Sequence, residues 1–471
     1  MIFNTNVDSL KNELIDEVKL FMDLDNDNFI IDQNIIEDNL IIKNNITIND
    51  GNKIIEENFE DKINQNITIL ERKRQIKRIC KQCLYKTLAK YFKKDMPWGS
   101  LTGIRPTKIA YNLIKNGTPD YLVKEYLIKD FYLSYNKADL VSKILTMQKS
   151  IIHNEKLIEF YVNIPFCPSK CEYCSFISCV TEEGSEVLDE YLDLLIEEIK
   201  QAKKIINDKS YVVNTVYIGG GTPTILSAKQ LNRLLSELNF NVQEFTVECG
   251  RPDTITEEKL IVLKSFGVSR ISINPQTFND DILRKIGRKH TAIDILNTYK
   301  LARKYNFDIN MDFIAGLKGE TLTSFKNNID IALELSPENI TVHTLAIKKG
   351  SNLALKEDNK EEKNVKIIEK MVDYSYDKLI KNGYYPYYLY RLKNMSGNLE
   401  NVGYSKQGKI CVFNVNSMEE NTSIMACGIN AISKKIDFYT NRIDRCANFK
   451  YFKEYKERFN EILERKKQLF N

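Results

Sequence analysis

Short apolar runs alternate with longer amphipathic stretches through the middle of the chain. The runs have the length of buried strands, and they are "LIEFYVNI", "VNTVYI", "EFTVEC", "VSRISI", "FDINMDF" and "NITVHTL". The stretches between them, such as "SEVLDEYLDLLIEEIKQAKKI" and "AKQLNRLLSEL", repeat apolar residues at the spacing of a helix. Six strand–helix repeats in this order predict a parallel sheet with crossover helices.

A doubly wound sheet and a barrel both fit this pattern. The six units take roughly 190 residues, which is short of the roughly 250 of a complete eight-unit barrel. In either architecture, side chains at the carboxyl ends of the strands lie on one face, where such folds place their active sites.

The flanks of these repeats have a different pattern. Residues 1 to about 150 begin with an Asn- and Ile-rich polar segment, contain a strand-like run near "NLIIKNNITIND", and continue as helices. The helix "ERKRQIKRICKQCLYKTLAKYFKK" carries ten Lys or Arg residues and one Glu. We interpret this charge run as a solvated helix face, with an anion-binding surface as the alternative. We expect its Cys80 and Cys83 to be buried thiols, since no second pair stands nearby to complete a metal site.

Unusual residues follow each of the six predicted strands. The first strand leads into the cysteine loop "CPSKCEYC", and the second into three consecutive glycines, Gly219 to Gly221. The other four strands end near Glu248, Gln276, Asp312 and His343. Glycines let a backbone approach a ligand closely, but the spacing of a phosphate-binding loop is absent. Carboxylates at these strand ends could hold ammonium or ribose hydroxyl groups, and Arg288 could bind a carboxylate.

The cysteine loop narrows the choice of ligand. Cys167, Cys171 and Cys174 are spaced so that one loop can wrap three thiolates around a cubic iron–sulfur cluster. A tetrahedral zinc needs a fourth protein ligand, for which Cys179 is the candidate. The position of the loop on the expected active face favours the cluster, because an iron with a vacant site would face the substrate there. The chain has only three histidines, which leaves little material for zinc sites or hydrolysis by a Ser-His-Asp triad.

Four segments together carry a family resemblance. "IPFCPSKCEYCSF", "YIGGGTPT", "PQTFNDDILRKIGRKHT" and "MDFIAGLKGE" resemble radical S-adenosylmethionine (SAM) enzymes, and more narrowly the oxygen-independent coproporphyrinogen III oxidases. "LTGIRPTKI" and "GYYPYYLYRLKNMSGNLENVGY" resemble the branch with an extra amino-terminal domain, called coproporphyrinogen dehydrogenase. The resemblance implies an α/β fold: a partial (βα)6 TIM-like barrel at 157–350, a mostly helical α+β domain at 1–150, and a smaller α+β extension at 351–471.

The same resemblance implies the chemistry. Cys167, Cys171 and Cys174 would hold a [4Fe-4S] cluster, and SAM bound to it would yield a 5′-deoxyadenosyl radical. The radical would start the oxidative decarboxylation of two propionates of coproporphyrinogen III, giving protoporphyrinogen IX for haem biosynthesis. The electron donor would be a protein such as a flavodoxin or ferredoxin. The positions that match SAM contacts in the family are Tyr161, Tyr173, Gly220, Gly221, Thr222, Glu248, Gln276, Arg288, Asp312 and His343.

Three residues depart from the pattern of the best-known oxidases. Asn163 replaces a histidine, Phe176 replaces a fourth cysteine, and Asn430 replaces a second glycine in "MACGINAIS". The Cys-x-Phe form is shared with haem-binding chaperones of the same family, so haem delivery without oxidation is the alternative function.

Charge and hydropathy limit the partners further. Lys and Arg exceed Asp and Glu by only four, so we expect no general affinity for nucleic acid. The segment "MIFNTNVDSLKNELIDE" has neither the basic flank nor the apolar core that we expect of a signal peptide, and no apolar run reaches the roughly 18 residues of a membrane span. We therefore expect a cytoplasmic enzyme, active as a monomer, whose ten cysteines form no structural disulfides.

Overall fold

The computed structural model describes two compact units, Met1–Ser142 and Lys143–Asn471. The described residues are 1–25, 28–65, 67–103, 105–151, 154–175, 179–346, 365–392, 399–440 and 442–471. His153 and Phe176, which entered the sequence analysis, lie outside these ranges.

The first unit contains a four-stranded sheet with helices. The strands, in sheet order, are β1 (Ile2–Thr5), β2 (Ile30–Asp38), β3 (Ile41–Asn49) and β4 (Ile54–Lys62). β1 pairs with β2 in parallel, and β2, β3 and β4 pair antiparallel. The helices are α1 (Lys11–Val18), α2 (Ile69–Phe92), α3 (Pro106–Lys115) and α4 (Asp120–Phe131), with a short 3-10 turn at Asp8–Leu10. Helix α5 (Tyr135–Gln148) begins in this unit and ends in the second. The strand-like run and the basic helix are thus confirmed as β3 and α2.

Helix α2 packs its apolar side into the core of the first unit. Cys80 and Cys83 belong to this core, and burial raises the pKa of Cys80 to about 12 and that of Cys83 further. The Lys and Arg side chains of α2 form ion pairs with acidic residues of the same unit. These pairs are Arg72–Glu37, Lys77–Glu13, Lys81–Glu17 and Lys90–Glu57. Part of the positive charge of this helix is therefore offset within the first unit.

The second unit is built on one large sheet. Among the described residues, eleven strands join it in the order β13-β14-β12-β11-β10-β9-β8-β5-β15-β16-β17. The strands of this unit are β5 (Leu157–Ile164), β6 (Phe166–Cys167), β7 (Cys179–Val180), β8 (Val212–Gly220), β9 (Glu244–Val247), β10 (Arg270–Ser272), β11 (Asp308–Ala315), β12 (Asn339–Thr344), β13 (Tyr385–Tyr390), β14 (Asn401–Ser405), β15 (Ser423–Cys427), β16 (Ile432–Asp437) and β17 (Arg442–Ala447). Strands β5 and β8 to β12 are the six predicted strands, and each pairs in parallel with its neighbours in the series.

Helices connect these strands as a TIM-like barrel requires. They are α6 (Glu186–Asp208), α7 (Ala228–Leu235), α8 (Glu257–Ser265), α9 (Asp280–Lys285), α10 (Ala292–Arg303), α11 (Leu322–Leu335), α12 (Val365–Lys381), α13 (Val412–Glu419), α14 (Phe452–Glu457) and α15 (Phe459–Phe470), with 3-10 turns at Pro223–Ile225 and Pro252–Thr254. The partial barrel that the family resemblance implied is confirmed. Among the described residues, no helix is both long enough and apolar enough to cross a membrane.

A strand from the carboxyl-terminal part of the chain extends the parallel series. β15 lies beside β5 in parallel register, from Ser423 opposite Ile158 to Cys427 opposite Val162. This strand, the seventh in the parallel series, was not among the six predicted strands. It brings the loop that follows β15 next to the carboxyl end of β5, where the cysteine loop begins.

The opposite end of the barrel is held by a buried ion pair. Arg270 Nη1 lies 2.5 Å from Glu244 Oε2, and Arg270 also donates to the carbonyl oxygens of Lys409 and Ile410. Glu244 accepts from the backbone N–H groups of Val412 and Phe413. These bonds fix the start of α13 at the amino-terminal ends of the strands.

Candidate active site

Glu248 and the glycine row meet at the carboxyl ends of β8 and β9. Tyr217 Oη donates to Glu248 Oε1 at 2.6 Å, and a Cβ on Gly219 would lie 3.0 Å from Glu248 Oε2. Burial raises the pKa of Glu248 to about 7, because the charged form is poorly solvated and the nearby Asp312 repels it. A cation placed here would restore the ionised form.

Asp312 and His343 form a second polar group on the neighbouring strands β11 and β12. His343 Nε2 lies 3.8 Å from Asp312 Oδ2, and Asn310 Nδ2 donates to Asp312 Oδ1 at 2.8 Å. Burial opposes ionisation of Asp312, but its interactions with His343, Asn310 and Thr341 outweigh this effect, and the pKa of Asp312 falls below its usual value. Tyr390 Oη lies 3.3 Å from His343 Nδ1.

Three aromatic rings stack inside the barrel below these strand ends. The Phe413 ring lies 4.4 Å from Tyr217 and 5.8 Å from Tyr161, with interplanar angles of 20° and 16°. Tyr161 Oη donates to Asn163 Oδ1 at 2.9 Å. The stack forms an apolar floor under the carboxylates.

The glycine row contacts the beginning of the cysteine loop. Gly220 has a φ of +111°, and a side chain there would collide with Asn163 Oδ1. A Cβ on Gly221 would lie 2.9 Å from Cys167 Sγ. Thr222 N donates to Phe166 O at 2.8 Å, and Thr222 Oγ1 lies 3.4 Å from Cys167 Sγ. Only glycine therefore fits against this loop at positions 220 and 221.

The rest of the cysteine loop is held by the segment after α9. Glu172 N donates to Ile286 O at 3.1 Å, and Arg288 Nη2 donates to Tyr173 Oη at 2.9 Å. Arg288 Nη1 also donates to Gly250 O at 3.1 Å, so one buried arginine joins this loop to the end of β9. Cys171 is buried, while Cys167 and Cys174 are partly exposed.

The predicted residues thus form two neighbouring groups. Glu248, Asp312, His343 and Tyr161 line the barrel interior. Gln276 belongs to this group through its backbone, since its N–H donates to Asp312 O at 2.9 Å and its φ is +65°. The second group contains the cysteine loop with the residues that contact it, which are Gly220, Gly221, Thr222, Tyr173 and Arg288.

These residues fit an iron–sulfur cluster with SAM. In the part of the chain that the structure describes, no three Cys, His, Asp or Glu side chains converge on a single metal ion. A [4Fe-4S] cluster makes no such demand, because each thiolate binds a different iron of a cube. Arg288 Nε is buried without a hydrogen-bond partner among the described residues, which leaves a donor for a carboxylate. The carboxylates of Glu248 and Asp312 suit an ammonium group and ribose hydroxyls.

The structure adds residues that sequence reasoning missed. Tyr217 lies two residues before Gly219, on the same face of β8. Strand alternation from the glycine row was a usable signal for it. Tyr390 and Phe413 come from the carboxyl-terminal part, where no local pattern connects them to the barrel. Arg251, four residues after the end of β9, also contacts the cysteine loop.

Two departures from the family pattern have structural explanations. Asn163 Nδ2 donates to Ile429 O at 2.6 Å, so this side chain joins β5 to the loop after β15. Asn430 has a φ of +59°, a left-handed conformation that asparagine tolerates better than most residues. The backbone at Asn430 therefore needs no glycine.

Comparison with known proteins identifies similar sequences. The model of the Radical SAM superfamily matches residues 161–332. The oxygen-independent coproporphyrinogen-III oxidase-like protein HemZ of Bacillus subtilis is 37% identical over 380 residues, which cover 78% of this chain and 76% of HemZ. The heme chaperone HemW of the same organism is 38% identical over 195 residues, which cover 40% of this chain and 50% of HemW.

A solved structure supports the fold. The coproporphyrinogen III oxidase HemN of Escherichia coli, described as a radical SAM enzyme, superposes with a TM-score of 0.52 at 24% identity. The superposition covers 65% of this chain and 70% of HemN. At this identity the likeness concerns the fold alone, and it agrees with the partial barrel.

Proposed function

Since this chain belongs to the radical SAM family of oxygen-independent coproporphyrinogen III oxidase-like proteins, we propose that it oxidatively decarboxylates two propionates of coproporphyrinogen III. The product would be protoporphyrinogen IX. The family's cofactors are a [4Fe-4S] cluster and SAM. The observation that carries the proposal is the extent of the match to the HemZ protein, which covers three quarters of both chains and so includes the flanks of the barrel.

The cysteine loop would hold the cluster in this proposal. Cys167, Cys171 and Cys174 are its three thiolate ligands, and Gly221, directly after β8, lets the backbone lie close to Cys167 Sγ. Bound there, the cluster and SAM would supply a 5′-deoxyadenosyl radical for the removal of a hydrogen atom from a propionate side chain. The substrate then loses carbon dioxide and passes one electron to an acceptor, which leaves a vinyl group.

The other residues of the site bind, orient and exclude water. Arg288 offers its unused Nε to the methionine carboxylate, and Glu248 and Asp312 accept from the ammonium and ribose groups. The Tyr161–Phe413–Tyr217 stack closes the barrel interior below them, which keeps water from a reactive radical. We expect Tyr173, Thr222, Gln276 and His343 to complete the SAM contacts.

Haem delivery is the second candidate function. It is favoured by the 38% identity to the heme chaperone HemW over 195 residues, although these cover only half of HemW. A chaperone would bind haem in stoichiometric amount and would leave coproporphyrinogen unchanged.

One anaerobic experiment separates the two functions. The protein is reconstituted with iron and sulfide, then incubated with reductant, SAM and coproporphyrinogen III, and the porphyrinogens are oxidised and separated. We expect protoporphyrin from the wild type and none from Cys171→Ala, which should also lose most of its iron. Deoxyadenosine without decarboxylation would overturn the oxidase proposal. Tight stoichiometric haem binding by the same preparation would then support the chaperone.

A further inference from the structure

Arg251 lies four residues after the end of β9 and contacts the middle of the cysteine loop. Its side chain is 3% exposed. Nη1 donates to Ser169 Oγ at 2.7 Å and lies 3.3 Å from Ser169 O. Ser169 stands between Cys167 and Cys171, so this guanidinium binds the loop between two of the proposed cluster ligands.

A carboxylate fixes the orientation of the Arg251 guanidinium. Nε donates to Asp253 Oδ1 at 3.1 Å and Nη2 to Asp253 Oδ2 at 2.7 Å, which is the paired geometry of an arginine and a carboxylate. His290 Nδ1 lies 3.2 Å from Asp253 Oδ1, the oxygen that also accepts from Arg251 Nε. The three nitrogens of Arg251 are therefore all engaged, and the group has little freedom to turn.

The same loop is bound from the opposite direction by the segment that carries His290. Ser169 Oγ lies 3.5 Å from Gly287 O, and Glu172 N donates to Ile286 O. A Cβ on Gly287 would lie 3.2 Å from Lys170 O, so the two backbones are in close contact. The segments after β9 and after α9 thus enclose the cysteine loop.

We propose that Arg251 is a positioning residue that holds the cysteine loop in the shape that receives the iron–sulfur cluster. The inference rests on the proposed function, because it takes the three loop cysteines as cluster ligands. A loop that is ordered before binding loses less conformational entropy when three thiolates are fixed to one cluster. Groups that orient metal ligands typically contribute about 10- to 100-fold in metal affinity.

The requirement is for the forked guanidinium and not for a positive charge alone. Lysine keeps the charge but cannot pair with both oxygens of Asp253 while donating to Ser169. Arg251→Lys should therefore restore only part of what Arg251→Met removes. Ser169→Ala loses the stronger of the two loop contacts and keeps the carbonyl oxygen.

A buried arginine at the other end of the barrel provides the matched control. Arg270 is 5% exposed and pairs with Glu244, but it contacts the segment at 409–410 and not the cysteine loop. Arg270→Lys should lower the thermal unfolding temperature and leave cluster retention unchanged. It therefore separates an effect on the loop from a general loss of stability.

The test measures the loop with and without iron. In reconstituted protein, we expect the rate of cluster loss to a chelator, followed by visible absorbance and iron content, to rise about tenfold or more in Arg251→Met. Arg251→Lys and Ser169→Ala should lie between it and the wild type. In iron-free protein, amide hydrogen exchange of residues 167–175 should be faster in Arg251→Met than in Arg270→Lys.

Other outcomes would overturn the inference. If Arg251→Met loses its cluster, and exchanges the amide hydrogens of the cysteine loop, at wild-type rates, then Arg251 does not position this loop. Cluster loss in Arg270→Lys as fast as in Arg251→Met would show that the effect reflects a general loss of stability. A wild-type protein that takes up no cluster would instead refute the proposed function, and hydrogen exchange in the iron-free protein would still decide whether Arg251 orders the loop.

Discussion

The buried ion pair between Glu198 and Lys466 should hold the carboxyl-terminal segment against the barrel. Glu198 lies on α6 and Lys466 on α15, and their side chains are 0% and 1% exposed. Glu198 also accepts from Gly428 N at 2.8 Å, Asn448 Nδ2 at 2.6 Å and Tyr455 Oη at 2.5 Å. One carboxylate of the barrel thus binds four separate positions of the carboxyl-terminal segment.

The structure ranks the two ways of breaking this pair. Removing one partner of a buried ion pair costs about 3–5 kcal/mol, since the other charge stays buried. Lys466→Met leaves Glu198 with its three neutral donors, so we expect a loss near the lower figure, about 3 kcal/mol. Glu198→Gln leaves the Lys466 ammonium with an amide and with Cys427 Sγ at 3.9 Å, so we expect about 5 kcal/mol.

Hydrogen exchange and urea denaturation test this ranking. Because the two compact units need not unfold together, the local reading is amide exchange in α15 (Phe459–Phe470), which should accelerate in both variants. The double variant should be more stable than the sum of single losses predicts, by about 1–3 kcal/mol. Lys453→Met, which removes an exposed pair with Glu457, is the control and should stay within about 1 kcal/mol of the wild type. Strict additivity, or unchanged exchange in α15, would refute the reasoning.

The remaining predictions concern single positions. The pKa of Glu248 is about 7 in the folded protein and lower when unfolded. The folded protein therefore holds an extra proton between these values, and its stability should fall as pH rises from about 4.5 to about 7 and be level above. Thermal unfolding across this range should show that decline in the wild type and a smaller decline in Glu248→Gln, because buried Glu320 also has a pKa raised to about 7; an equal decline in both would contradict the assignment. In urea denaturation, Gly220→Ala should lower stability by at least about 1 kcal/mol more than Gly267→Ala. Both glycines have positive φ, but a Cβ on Gly220 would collide with Asn163, whereas a Cβ on Gly267 meets nothing within 4 Å. Equal losses of stability would exclude the collision with Asn163. Asn430→Ala should lower stability by about 1 kcal/mol while Asn430→Gly stays near the wild type, and the reverse order would show that the asparagine side chain matters more than its φ of +59°.

Local sequence patterns were sufficient for the barrel strands. The apolar run at 157–164 coincides with β5, and the other five runs overlap β8 to β12. Strands buried on both faces read as continuous apolar runs, and helices separate them at regular intervals. The strand-end rule also placed Glu248 and Asp312 in one interior.

Contacts between segments that are distant in the sequence could not be predicted from local patterns. β15 is only five residues long, and its partner β5 lies more than two hundred residues earlier in the chain, so no local signal joins them. Phe413 is held at the start of α13 by the hydrogen bond from its N–H to Glu244 Oε1, and Glu244 lies far away in the sequence. Arg251 stands in the segment "ECGRPD", yet its contact with Ser169 arises only when the cysteine loop folds over the end of β9.

Hydrogen transfer from the substrate tests the central claim most directly. Coproporphyrinogen III carrying deuterium on the propionate carbon next to the ring is incubated anaerobically with reconstituted protein, reductant and SAM, and the deoxyadenosine is analysed by mass spectrometry. We expect the wild type to give deuterated deoxyadenosine together with protoporphyrinogen IX. Cys171→Ala should give neither product. Deoxyadenosine that carries no deuterium, with coproporphyrinogen recovered unchanged, would contradict it.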